Sequence, residues 1–114
     1  MSISAEFRAF LEDQMAEFGR VSIRKMFGGA GVYRDSLMFA LVADDVLYFK
    51  ADAESRKDFD AEGLPPFVYE AAGGKRTVVS YFRAPEACLD DPGQMAEWCR
   101  KAYAAALRAN KKKR

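Results

Sequence analysis

The sequence predicts an α+β two-layer sandwich: helices against a five-stranded antiparallel sheet, in the order α-β(3)-α-β(2)-α. Three observations lead there. Apolar residues recur at helical spacing near both ends of the chain, Phe7, Leu11, Met15 and Phe18 in one stripe and Met95, Trp98, Ala102 and Ala106 in another. Between them lie short runs rich in β-branched and aromatic residues, separated by brief turn signals that favour antiparallel neighbours. Helices at the ends with strands between them form the pattern of a sheet covered by segregated helices.

Each element follows from its residues. Ser4 caps a first helix over 5–18, with Glu6 in the first turn where the helix dipole favours a negative charge, and Gly19 stops it. Val21 to Met26 alternates as a short extended segment. The cluster Gly28-Gly29-Ala30-Gly31 comes next, and Val32-Tyr33 leads into a turn at Asp35-Ser36. Leu37 to Val42 is the second strand. After a turn at Asp44-Asp45, Val46 to Lys50 is the third, with Leu47 and Phe49 on one face and Tyr48 and Lys50 on the other. Asp52 to Glu62 is polar around Phe59 and reads as a short helix ending at Gly63, beyond which Pro65-Pro66 blocks continuation. Phe67 to Ala71 and Thr77 to Arg83 are two further strands joined near Gly73-Gly74. Asp91 caps the last helix and Pro92 takes its first position, while Cys99, Tyr103 and Leu107 widen its apolar stripe. The small alanines of that stripe imply close approach to a neighbour. The domain is thus expected over 1–107, with 108–114 a basic, disordered tail.

Composition narrows the chemistry. A chain of 114 residues, half hydrophobic and 31% charged, is one ordinary globular domain. It buries roughly 65% of its unfolded surface, enough to fold without a metal or disulfide. There is no histidine, which removes imidazole base catalysis, imidazole metal ligands and a Ser-His-Asp triad. Cys88 and Cys99 are too few for a cysteine zinc site, and two reduced thiols are favoured over a Cys88–Cys99 disulfide because cytosolic conditions keep thiols reduced. No apolar run approaches membrane-spanning length and no leader is visible, so a cytoplasmic protein off the membrane is expected. A net charge of +1 gives no bulk attraction to nucleic acid.

Five features could carry function. The glycine cluster could cradle a phosphate, but a strand rather than a helix follows it and no Lys-Ser/Thr ending is present, which favours a bulge or tight crossing. The pairs Asp44-Asp45 and Asp90-Asp91 could serve acid–base or metal chemistry, or simply form turns and caps. Cys88 lies just before a helix start, either an activated thiolate or a structural thiol. Tyr33, Tyr48 and Tyr81 with Lys50 and Arg83 could share the sheet face away from the helices. Such a face would stack on single-stranded nucleic acid, meet a protein partner or second copy, or pack beneath the chain's own loops. The tail Lys111-Lys112-Lys113-Arg114 attracts phosphates in a salt-dependent way, or only solubilises the end.

Taken together, Ile23 to Tyr33, Met38-Phe39-Ala40-Leu41-Val42, Leu47-Tyr48-Phe49-Lys50, Pro66-Phe67, Ser80-Tyr81-Phe82-Arg83-Ala84-Pro85 and Trp98 resemble the N-terminal domain of the TfoX/Sxy proteins, bacterial regulators linked to natural competence. The resemblance covers about residues 5–107. It implies the same α-β(3)-α-β(2)-α order in a secretion-chaperone-like fold, and it makes Met26, Phe27, Gly28, Gly29 and Gly31 a structural family motif. It carries no catalytic residue, cofactor or metal. The implied role is a non-enzymatic protein-interaction domain in transcriptional regulation, with the transcription machinery or the cyclic-AMP receptor protein as partner and a homodimer by analogy. Direct nucleic-acid binding through the aromatic and basic face and the tail is the alternative. Full-length members carry a second, helical domain, and this chain is expected to stop before it.

Overall fold

The computed structural model describes residues 3–26 and 28–112. In chain order these form α1 (Ala5–Gln14), β1 (Ser22–Met26), β2 (Gly29–Arg34), β3 (Leu37–Ala43), β4 (Val46–Lys50), α2 (Arg56–Ala61), β5 (Pro66–Ala71), β6 (Gly74–Arg83), α3 (Ala87–Asp90) and α4 (Pro92–Lys112). The six strands make one open sheet in the order β1-β2-β3-β4-β6-β5, and every neighbouring pair is antiparallel.

The expected five strands are therefore six. The glycine segment is not a crossing between strands but part of one. Gly28 turns the chain in a left-handed conformation (φ 77°), and Gly29, Ala30 and Gly31 then run inside β2, paired with β1 on one side and β3 on the other. Glycine offers no side chain to mark a strand, so the pattern hid it. Gly29 needs no positive φ. A Cβ there would run into the carbonyl oxygen of Val42, so close approach of β3 demands glycine.

Cross-strand register sets the core. Ile23, Val32, Ala40, Phe49 and Phe82 lie in one row across five strands, all buried. A second buried row is Ala30, Val42 and Leu47. Between Val32 and Tyr33 the register slips, which leaves Phe39 as the extra residue of a bulge and buries it beside Ala40. Leu11 and Met15 near α1, Phe59 of α2 and Met95, Trp98, Cys99 and Ala102 of α4 complete the same cluster. Phe59 sits between Phe82 (5.4 Å) and Trp98 (5.0 Å). The buried alanines 102, 105 and 106 let α4 lie close on β3 and β4.

The first helix ends at Gln14, short of the expected Phe18. The turn that follows tightens to i→i+3 bonds, Ala16 N–H to Asp13 O and Phe18 N–H to Met15 O. That turn drops Phe18 onto Phe39 (5.2 Å) and Tyr103 (5.9 Å), with the Arg34 guanidinium over both Phe18 and Tyr103. At the other end α4 continues past the expected boundary to Lys112. Arg108 donates from Nε and Nη2 to the two carboxylate oxygens of Asp52 (2.6 and 3.1 Å) and pairs with Glu54 through Nη1 (3.0 Å). It belongs to the folded domain rather than to a solvated tail; Lys113 and Arg114 lie outside the described residues.

Candidate functional site

The face of the sheet opposite the core is built by the same register. Its central row runs Arg24, Gly31, Leu41, Tyr48 and Arg83, one residue from each of β1, β2, β3, β4 and β6. Lys50 and Tyr81 pair in the next row. Strand alternation puts these side chains away from Phe49 and Phe82. Arg24 and Arg83 are exposed, Leu41 and Tyr48 half-buried.

Gly31 shapes the row. The Sδ atoms of Met38 and Met26 and the Tyr33 ring lie 2.8, 2.9 and 2.9 Å from where its Cβ would stand, so soft side chains close over the bare backbone. Beyond them the β5–β6 hairpin leaves the sheet. Only Tyr81 to Arg83 of β6 pair with β4, and the β5 register jumps from Pro66↔Phe82 to Phe67↔Val78. This irregularity bends the arm back across the face, bringing Phe67 to 4.9 Å from Tyr48, with Tyr69 stacked on Phe67 at 5.9 Å. A groove of about 680 Å³ results. Met26, Leu41, Val46, Tyr48, Phe67 and Tyr69 line it together with Gly28 and Gly29, and Asp44, Glu70 and Lys75 are among its polar members. The arm also exposes Val68 and Val79.

The expected face residues divide. Tyr48 and Arg83 are neighbours on it, and Tyr33 lies against Arg24, whose guanidinium carbon is 5.0 Å from the ring. Lys50 places its ammonium 5.1 Å from the Tyr81 ring. Tyr81 lies on the same face as Arg83 but is only 8% exposed, and burial, then the nearby Tyr33, pushes its phenol up to about 12, so its ring is covered there rather than open to a partner. Of the glycine segment, Met26, Gly28 and Gly29 line the groove and Gly31 lies under Met26, while Phe27 lies outside the described residues. Phe67 and Tyr69, which complete the groove, were missed because they read as ordinary strand residues. Their place depends on the bend of the arm, which no local pattern announces.

The other candidates have structural partners. Asp44 and Asp45 occupy the two left-handed positions of the β3–β4 turn (φ 53° and 57°), and the Asp45 carboxylate accepts from the Ser4 N–H at 2.8 Å. Asp91 accepts from the Gly93 N–H at 2.9 Å as α4 begins. Cys88 and Cys99 are buried and unbridged; burial pushes the Cys88 thiol up to about 12 and the Cys99 thiol higher still, the opposite of an activated nucleophile. Among the described residues no group of three or more Cys, Asp or Glu could hold a metal, and no helix is long and apolar enough to cross a membrane.

A family model described as the TfoX N-terminal domain matches residues 13–106. Over 91 residues the chain is 32% identical to the DNA transformation protein TfoX1 of Aliivibrio fischeri, a stretch covering 75% of this chain and 42% of that protein. The chain therefore spans less than half the length of that curated relative.

Proposed function

The chain belongs to the TfoX N-terminal domain family, and from that premise we propose that it is a non-enzymatic domain that docks another protein in the control of DNA transformation, acting on transcription. The observation that carries this reading is the uncovered sheet face. Half-buried Leu41 and Tyr48 lie between exposed arginines, beside an apolar groove and an arm with exposed valines. Aromatic, methionine and arginine side chains around an apolar centre are the composition of protein interfaces. The buried, unactivated thiols and the structurally engaged aspartates support a role without catalysis. The partner is a protein of the transcription machinery, the cyclic-AMP receptor protein included, or a second copy in a homodimer, and the site of action is the cytoplasm.

The test is affinity capture from extracts of the cells that make this protein, with the wild type and a Tyr48→Ala/Arg83→Glu variant as baits. Wild type should retain specific proteins that the variant loses while its far-ultraviolet circular dichroism stays unchanged. A folded variant that retains the same set, or a wild type that retains nothing specific, overturns the reading. The basic and aromatic character of the face also favours single-stranded nucleic acid as a second reading. A gel shift at two salt concentrations, with the full chain and with 108–114 removed, decides it; no shift at low salt ends it.

A further inference from the structure

The net charge is only +1, but the charges in the central rows of the uncovered face are of one sign. Strand alternation puts Arg24, Lys50 and Arg83 on the uncovered face of β1, β4 and the paired end of β6, and no acid among their described strand neighbours there; Lys25 and Arg34 alternate to the helix side, where Arg34 packs on Phe18 and Tyr103. The helices and their flanking turns carry acids and bases together, several of them paired, as in Arg8–Glu12, Arg56–Asp60, Lys101–Asp58 and Arg108–Asp52. The central rows of the uncovered face therefore carry positive charge only, with Asp44, Glu70 and Lys75 at the groove beside them, and those rows favour negative groups on a partner.

The row across that face has a definite pattern. Arg24 stands at one end and Arg83 at the other, with Gly31, Leu41 and Tyr48 between them. Four strand spacings of about 4.8 Å separate the two arginine backbones by roughly 20 Å, the length of about six residues of extended chain. We infer that the face binds an extended acidic–apolar peptide segment of a partner protein, its carboxylates meeting Arg24 and Arg83 and its central apolar side chains filling the groove under Phe67. This rests on the protein-docking reading above and specifies the chemistry of the partner.

A nucleic-acid strand shares the negative charge but fits the middle of the row poorly. Base stacking needs open ring faces. Tyr48 already packs on Phe67, Tyr33 carries the Arg24 guanidinium and Tyr81 is buried. Next to Leu41 of that row, the groove toward Met26 and Val46 offers aliphatic and sulfur surface, which suits leucine or phenylalanine side chains.

The probe is the synthetic peptide Glu-Glu-Ala-Leu-Phe-Ala-Glu-Glu, titrated into the full, nitrogen-15-labelled chain and followed by amide chemical shifts. Comparison probes replace Leu-Phe by Ala-Ala, replace every Glu by Lys, or are a thymidine decamer. Binding should move the amides of Arg24, Gly31, Leu41, Tyr48 and Arg83 and weaken with salt. Affinity should fall by roughly tenfold in Arg24→Glu or Arg83→Glu and with the Ala-Ala peptide, and be lost with the Lys peptide. Both arginines are exposed, so these variants should keep the wild-type fold. No shifts at millimolar peptide, shifts on another surface, equal binding of the Lys peptide, or tighter binding of the decamer each overturns the inference. If the peptide fails while Tyr48→Ala/Arg83→Glu still abolishes protein capture from extracts, the partner chemistry is wrong and the docking reading stands.

Discussion

Replacing Gly29 by alanine tests the role given to the glycine segment. The added Cβ would stand far inside the 3.0 Å limit that real Cβ contacts respect, and the atom it meets is the backbone oxygen of Val42 rather than the end of a flexible side chain. Relief requires β2 to move away from β3 beside the Ala30↔Val42 pair, or β1 to lose Met26↔Gly29. Either movement weakens about two ladder hydrogen bonds at about 1 kcal/mol each, and the displaced Ala30 and Val42 side chains add a packing penalty of about 1 kcal/mol or more. A loss of about 2–4 kcal/mol follows, a fall in Tm on the order of 10–15 °C for a domain of this size. Gly31→Ala is the internal control, because its Cβ would press mainly on methionine ends that can swing aside, and its cost should be about half or less. Urea unfolding followed by circular dichroism measures both. A Gly29→Ala protein within about 0.5 kcal/mol of wild type, or a Gly31→Ala protein that is the less stable of the two, would refute the close-approach argument.

Three further outcomes follow from the structure. Arg108→Ala should cost about 1 kcal/mol at pH 7, since it removes a bidentate, partly exposed ion pair that ties the end of α4 to the turn before α2. The hydrogen bond from Arg108, against the opposing effect of burial, holds the Asp52 carboxyl well below its ordinary range. A depressed carboxylate stabilises above its unfolded value and loses that contribution as pH falls through its folded one. The gap between wild type and variant in pH-dependent urea titrations should therefore be constant down to about pH 4 and shrink below it; a gap that grows on acidification contradicts the pairing. Cys88 and Cys99 should resist iodoacetamide at pH 8 in the native protein and react promptly in urea; rapid native labelling would place them outside the core. Ser36→Gly should stabilise by about 0.5–1 kcal/mol, because Ser36 holds a left-handed conformation (φ 68°) in the β2–β3 turn; an unchanged Tm would show no strain there.

Much of the fold was legible locally. The stripe from Phe7 to Phe18 placed the first helix, Asp91 and Pro92 placed the start of the last, and Asp35-Ser36 and Asp44-Asp45 fixed two hairpins, because periodicity, capping and turn chemistry act over a few residues. The alternation of Tyr48 and Lys50 against Phe49 put those two side chains on the face later found uncovered. β2 escaped because its first three residues are Gly, Ala and Gly, and a strand without side chains has no period to read. α3 and the helical extension to Lys112 escaped for related reasons, a four-residue helix being too short for a stripe and a run of lysines resembling a solvated end.

The amino-acid sequence alone determined the class of the domain, most of its element order and the family to which the glycine segment and its downstream blocks assign it. Those are properties of spacing and of residue identity. The tertiary structure alone decided that Gly29 is needed for the approach of Val42, that Tyr81 is covered on its face rather than open, and that Arg108 closes on Asp52. It also decided that the β5–β6 arm folds over Tyr48 to make a groove. Each of these depends on residues far apart in the chain meeting through strand register and a bend in one hairpin, and no window of neighbouring residues carries that information.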